Sequence, residues 1–369
     1  MAPMRALRRA LGIVCLLACG SALVAGCGGG SGSTTQVNPE AEAGKSRPAP
    51  PKSAFPAPEG RTLRTFVKQV AEVHPEVKVS PAGEVFYPGH NRYAFLVAEK
   101  GIGGQPGKEV TDAEVAIYFS KVPAPGSGAK AKSGKGGKGR PANGAAFRQL
   151  AIGPFPARIE SLATKPGFQG KTTTEAADVA SVVYSAELDF PGAGEYRPVV
   201  VIKEKGGIAE KSLKSIHVGE FAKIPRPGER APLIQTPTAD SVDGNLAKLS
   251  TRVPPDTQNK VNYAEVLGKE PILLLFTTPK FCQSRVCGPV VDVAQQAQHE
   301  FEGKANFIHM EIYNDNDPSK GVRPQVRRFH LPTEPWLFAI NREGVVSAAI
   351  EGAFGTQLMD KTVEKVIAE

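Results

Sequence analysis

Two cysteines stand five positions apart in Phe281-Cys282-Gln-Ser-Arg-Val-Cys287-Gly-Pro-Val290. Two thiols at that spacing can close a disulfide if a turn brings their Cα atoms to about 4.4–6.8 Å. They can then exchange it with a second disulfide through a mixed intermediate. The thiolate is the reactive form, and a helix N-terminus lowers a thiol pKa from about 8.5 into the range of about 3.5–7.5. The flanking residues predict such a terminus. The apolar run Ile272 to Phe276 reads as a buried strand, and Val290, Val293, Ala294, Ala297 and Phe301 fall on one helical face. Pro289 suits the first turn, where an N–H is unpaired anyway. Cys287 would therefore lie beside the free N–H groups and the positive end of that helix. Arg285 would add a second favourable charge.

The remaining cysteines sharpen this. Arg5, Arg8 and Arg9 precede an apolar run from Leu11 to Ala25, the pattern of a secretory signal over residues 1–26. The run ends Val24-Ala25-Gly26-Cys27 and resembles a bacterial lipobox, with Cys27 as the lipidated residue. Cys19, after Leu17-Ala18, is a weaker candidate because apolar sequence continues beyond it. Of five cysteines, Cys15 and Cys19 would then leave with the signal and Cys27 would carry lipid. Cys282 and Cys287 alone remain, and an oxidising compartment favours a disulfide between them. These features imply a lipid-anchored protein on the outer face of the bacterial cytoplasmic membrane.

Charge excludes one class of partner. The formal net charge is +8, yet Lys130, Lys132, Lys135, Lys138 and Arg140 lie in one Gly/Lys-rich insert, residues 126–144, that has no acidic residue. The basic balance thus describes a loop, and no nucleic-acid-binding face is expected. The insert reads as solvated and disordered, with contact to anionic lipid or wall polymer as its functional alternative.

Composition divides the rest. Residues 27–59, rich in Gly, Ser, Pro and Ala, read as a disordered tether. Residues 60–220 open with helical spacing at Leu63, Phe66, Val67 and Val70. They continue as short strands between turn residues and predict an all-β, immunoglobulin-like sandwich. Within it, Ser181 to Phe190 and Tyr196 to Lys203, around Pro191-Gly-Ala-Gly, predict a hairpin. Residues 221–258 are a Pro-rich connector. Residues 259–369 predict the order βαβαββα, a mixed sheet flanked by helices.

This last segment resembles the thioredoxin superfamily, over roughly residues 225–369. The resemblance rests on Cys287-Gly288-Pro289 after an apolar strand, Glu334-Pro335 before the Trp336 strand, and the Gly344 turn before a closing helix. Pro227-Gly228-Glu229-Arg230-Ala231-Pro232 is similar to the entry of redoxin-type members. The resemblance implies an α/β thioredoxin-like fold and thiol–disulfide exchange on exported thiol or disulfide proteins. It also implies Cys287 as nucleophile, Cys282 as resolving thiol, and a cis Pro335 shaping the substrate groove. Cofactors and resident metals are not expected. One departure matters: the position where the family usually has its resolving cysteine is Val290.

Two other readings stand beside this one. The Cys282–Cys287 disulfide could staple the loop of a non-catalytic binding module. Alternatively, the two cysteines with His330 or His309, the latter next to Met310, could handle copper as exported chaperones do. His74, His90 and His217 are isolated, and the β-rich part holds no catalytic constellation. The Asp315/Asp317 loop lacks calcium-loop offsets.

Overall fold

A computed structural model describes residues 44–70, 77–101, 107–124, 143–175, 179–204, 207–220, 223–282 and 285–369. The expected signal segment, Cys27, the first part of the tether and insert residues 126–142 lie outside the described residues.

Eight strands make one large sheet: β1 (Val77–Pro81), β2 (Gly89–Glu99), β3 (Glu114–Lys121), β4 (Ile152–Ser161), β5 (Val182–Phe190), β6 (Gly194–Glu204), β7 (Gly207–Ser212) and β8 (Ile216–Val218). The order is β1-β2-β5-β4-β3-β6-β7, with β8 also on β6, and every pair is antiparallel. This corrects the expected immunoglobulin-like sandwich of two sheets. The cause is β4. Its first half pairs with β3 (Ala116↔Pro156) and its second half with β5 (Ala157↔Ala186), so one strand joins what would have been separate sheets. The result is a single, nearly closed barrel-like sheet.

The expected hairpin around Pro191 is also corrected, because β5 and β6 are consecutive but not paired. Phe190 and Tyr196 turn inward instead and pack ring to ring at 4.9 Å. Alternation along the strands fills the interior with large rings. Tyr93, Phe95, Phe119, Tyr184, Phe190 and Tyr196 are all buried there.

A helix, α1 (Leu63–Val70), buries Leu63, Phe66 and Val70 against Tyr118 and Val199 on the sheet's outside. Residues at the end of the expected tether lie against the same sheet. Phe55 is buried, and Arg47 exchanges backbone hydrogen bonds with Ile159 (2.8 and 2.9 Å). Two one-turn helices follow, α2 (Asn143–Ala146) and α3 (Lys171–Thr174).

A second, four-stranded sheet has the order β10-β9-β11-β12: β9 (Ile272–Phe276), β10 (Asn306–Met310), β11 (Trp336–Ile340) and β12 (Val346–Glu351). The β9–β10 pair is parallel and the others antiparallel. Its helices are α4 (Tyr263–Val266), α5 (Cys287–Glu300), α6 (Pro324–Arg328) and α7 (Thr356–Ala368). All five residues of β9 are buried, as a strand covered on both faces requires.

The covering differs from a thioredoxin-like α/β fold, which is the second correction to the expected fold class. One face packs on α5 and α7 but shares its core with Ala94 and Val183 of the large sheet. The other face is closed by α4 and α6, one turn each, and by Ile224 and Ile234 of the Pro-rich connector. The molecule is mostly β. Helical layers are incomplete because connector and large sheet do part of their work.

Polar and backbone contacts lock the shared core. Buried Glu160 on β4 accepts from Arg92 (3.0 Å), Arg158 (2.9 Å) and the Gly355 N–H (3.2 Å). Arg92 also donates to the Ala353 carbonyl at 2.6 Å. Gly352 has φ +79° and lies so close to the chain at Ala82 that a Cβ would meet its carbonyl oxygen at 2.0 Å. Only glycine accommodates both conditions.

Candidate functional site

The disulfide loop leaves the carboxyl end of β9. Pairing of Phe276 with Met310 on one side and Trp336 on the other fixes the register. Continued by one residue, Thr277 stands between Glu311 and Pro335; continued by two, Thr278 stands opposite Glu334. The Glu334–Pro335 bond is cis. The chain returns through Cys282, and Cys287 is the first residue of α5.

Cys282 and Cys287 form a disulfide with a Cα separation of 5.9 Å. The two sulfurs are not equivalent. Cys287 is fully buried among Val286, Val290 and Val291, whereas Cys282 is half-buried at the rim of that core. Of the two residues, Cys282 is therefore the more accessible to solvent. Among the described residues no N-cap side chain bonds into the start of α5; its first intrahelical bond is Val290 N–H to the Val286 carbonyl, at 3.0 Å. The N–H groups of Cys287 and Gly288 precede it, and Pro289 has none. This is the local positive field that stabilises a thiolate.

Two buried ion pairs hold the loop. Asp292, one turn into α5, accepts from Arg252 Nε at 2.6 Å and from the Gly170 N–H at 3.0 Å. Arg252 also donates to the carbonyls of Phe168 (2.6 Å) and Pro254 (2.7 Å), tying α5 to the connector. His309 on β10 meets Asp256 at 2.8 Å through Nδ1 and the Thr277 carbonyl at 3.2 Å through Nε2. Burial alone would lower the His309 pKa, but the Asp256 carboxylate outweighs it and holds the ring above its usual range. The same attraction overcomes burial at Asp256 and holds its carboxyl below the usual range.

That arrangement bears on the copper reading. Both ring nitrogens of His309 are committed, Met310 is buried in the core on the far face, and His330 is exposed. Among the described residues, no three His, Cys, Asp or Glu side chains are grouped as metal ligands.

Residues that the sequence did not single out complete the edge. Glu311 is buried, and its Oε1 accepts the Thr251 N–H at 2.6 Å. Among the described residues its Oε2 has no partner; neither do Glu334 Oε2, Arg323 Nε and the hydroxyls of Thr277 and Thr278, all buried atoms. Burial, with the charge of Glu311, pushes the Glu334 carboxyl up to about 8, so it carries a proton at neutral pH. Tyr313 lies beside them, its ring edge-on to Phe281 at 6.1 Å. Buried polar atoms without partners are uncommon and mark places where water, strain or function must account for them. Here several meet at the edge from which the disulfide loop departs. The available signal was polar residues at strand ends: Thr277-Thr278 after β9, Glu311 after β10, Glu334 before β11.

Among the described residues no helix is long and apolar enough to cross a membrane. Compared with protein-family models and with curated proteins, the chain matches none.

Proposed function

We propose that this protein carries out thiol–disulfide exchange on exported proteins, with Cys282 as the sulfur that partners attack. The observation that carries this reading is the asymmetry of the disulfide: a half-buried cysteine bonded to a fully buried one at the first residue of a helix whose N-cap residue makes no side-chain hydrogen bond. A partner thiolate attacks Cys282 Sγ. The Sγ–Sγ bond breaks with its electron pair on Cys287, where the helix N-terminus stabilises the thiolate. Partner and Cys282 are then joined in a mixed disulfide. A second partner thiolate attacks the partner's sulfur, forming the partner's disulfide and releasing Cys282. The partner has lost two electrons and the protein holds them as two thiols; run backwards, the same steps reduce a partner. Lipid on Cys27 would hold the chain at the outer face of the cytoplasmic membrane, where such partners emerge.

Trapping tests this. In Cys287→Ser the mixed disulfide on Cys282 cannot be resolved internally, and a partner adduct should accumulate; Cys282→Ser should trap far less. Equal absence of adducts in both would favour the second reading, a stapling disulfide in a binding module. The complete burial of Cys287 in an apolar core speaks for that second reading.

A further inference from the structure

The large sheet is nearly closed, and its two ends face each other across a cavity of about 720 Å³. Lys78, Val79 and Ser80 of β1 form one wall; Lys211 and Ser212 of β7 with Leu213 form the other. The lining is mainly apolar. At the far end the opening is closed by the Phe86–Val218 bridge, with Gly219 N–H on the Phe86 carbonyl at 2.9 Å.

Topology states what could fill it. From β1 to β7 there are six neighbour steps, each antiparallel, so β1 and β7 run in the same direction. They cannot pair antiparallel with each other. One further strand running the opposite way would be antiparallel to both. The backbone is oriented for it. Ala82 N–H bonds to Ala94 O, which turns Ser80 and Lys78 towards β2 and leaves Val77 and Val79 directed at the opening. Leu213 N–H bonds to Pro198 O, which turns Lys211 towards β6 and directs the backbone of Ile208, Glu210 and Ser212 at the opening.

The rim selects the occupant by charge. Lys78, Lys211 and Lys214 line the cavity, against one carboxylate in its lining, Glu84, and among the described residues none of the three ammonium groups is in an ion pair or hydrogen bond. Lysines on edge strands oppose pairing with a second copy, which would bring lysine against lysine. The same lysines attract an acidic strand.

We infer that the seam between β1 and β7 binds an extended peptide of alternating apolar and acidic residues, which adds as a strand between the two edges. Apolar side chains would enter the cavity, acidic ones would meet the three lysines, and backbone bonds would supply affinity irrespective of detailed sequence. This binding is independent of the redox reading and needs no cysteine in the peptide.

The test uses the whole chain with its disulfide intact. A fluorescein-labelled peptide of alternating valine and glutamate is titrated by fluorescence anisotropy, beside the same peptide N-methylated at alternate amides and one with lysine in place of glutamate. The expected result is saturable binding of the first only, weakened several-fold in the Lys78→Glu/Lys211→Glu/Lys214→Glu variant. Amide exchange at Val79 and Ser212 should slow on binding; a thermal melt confirms that the variant is folded. The proposal is overturned if the N-methylated peptide binds equally well. It is also overturned if no peptide binds, or if oleate occupies the cavity and the peptide does not displace it, which would make this a site for anionic amphiphiles.

Discussion

Two glutamates in this molecule, buried Glu160 and half-buried Glu334, meet opposite fates. Glu160 lies where the large sheet meets the second core. Burial alone would raise its pKa, but Arg92 and Arg158, with the Gly355 N–H, outweigh that and hold the carboxyl below its usual range. Glu334 lies at the edge of the small sheet beside another carboxyl, and burial raises it to about 8. The first carboxylate is charged and fully engaged; the second is protonated and has a buried oxygen with no partner. A region that must stay in place satisfies its polar groups. The edge from which the disulfide loop departs leaves some of them open, and perturbed groups of this kind concentrate in working sites.

Removing Glu160 should have the largest effect. Glu160→Ala leaves Arg92 buried without its carboxylate, and should cost roughly 3–5 kcal/mol in denaturant unfolding. Gly352→Ala strikes the same seam through the backbone. Positive φ and the close approach to Ala82 together should cost on the order of 2 kcal/mol. Neither change should reach the disulfide directly, so reactivity of the surviving folded protein should be retained.

Changes at the other glutamate should be smaller and depend on pH. A carboxyl whose folded pKa is raised binds more protons folded than unfolded, between its ordinary range and about 8. Stability should therefore fall as pH rises through that window. In Glu334→Gln this fall should be reduced, as read from melts at a series of pH values, and exchange should weaken less at alkaline pH. The smallest effect is expected for Thr278→Val. Its hydroxyl is buried without a partner, so its loss should change stability by less than about 1 kcal/mol, in either direction. A large loss at Thr278, or a flat wild-type pH profile, would erase the contrast between the two regions.

Part of this was readable before the fold was known. The strand at Ile272–Phe276, the helix start at Cys287 and the amphipathic α1 each follow from local periodicity and turn chemistry. The larger sheet was not readable, because β4 pairs with different neighbours along its two halves and no local pattern encodes that. The β5–β6 step misled for a related reason: Pro191-Gly-Ala-Gly has hairpin chemistry, yet Phe190 and Tyr196 gain more by entering the aromatic core. At the site, Cys282 and Cys287 were evident from cysteine arithmetic, but their relative burial was not. Glu311 and Glu334 are 23 positions apart, and only the register of β10, β9 and β11 brings them to one edge. Asp256 and His309 likewise become partners only once the connector is folded against β10.

Thiol–disulfide exchange, as proposed, requires a Cys282–Cys287 bond that opens readily. Its reduction potential, measured by equilibration with glutathione or dithiothreitol buffers and thiol alkylation, tests this most directly. A potential well above about −300 mV is expected, in the range where exchange with partner thiols proceeds. A value below roughly −300 mV would mark a stapling disulfide and contradict it.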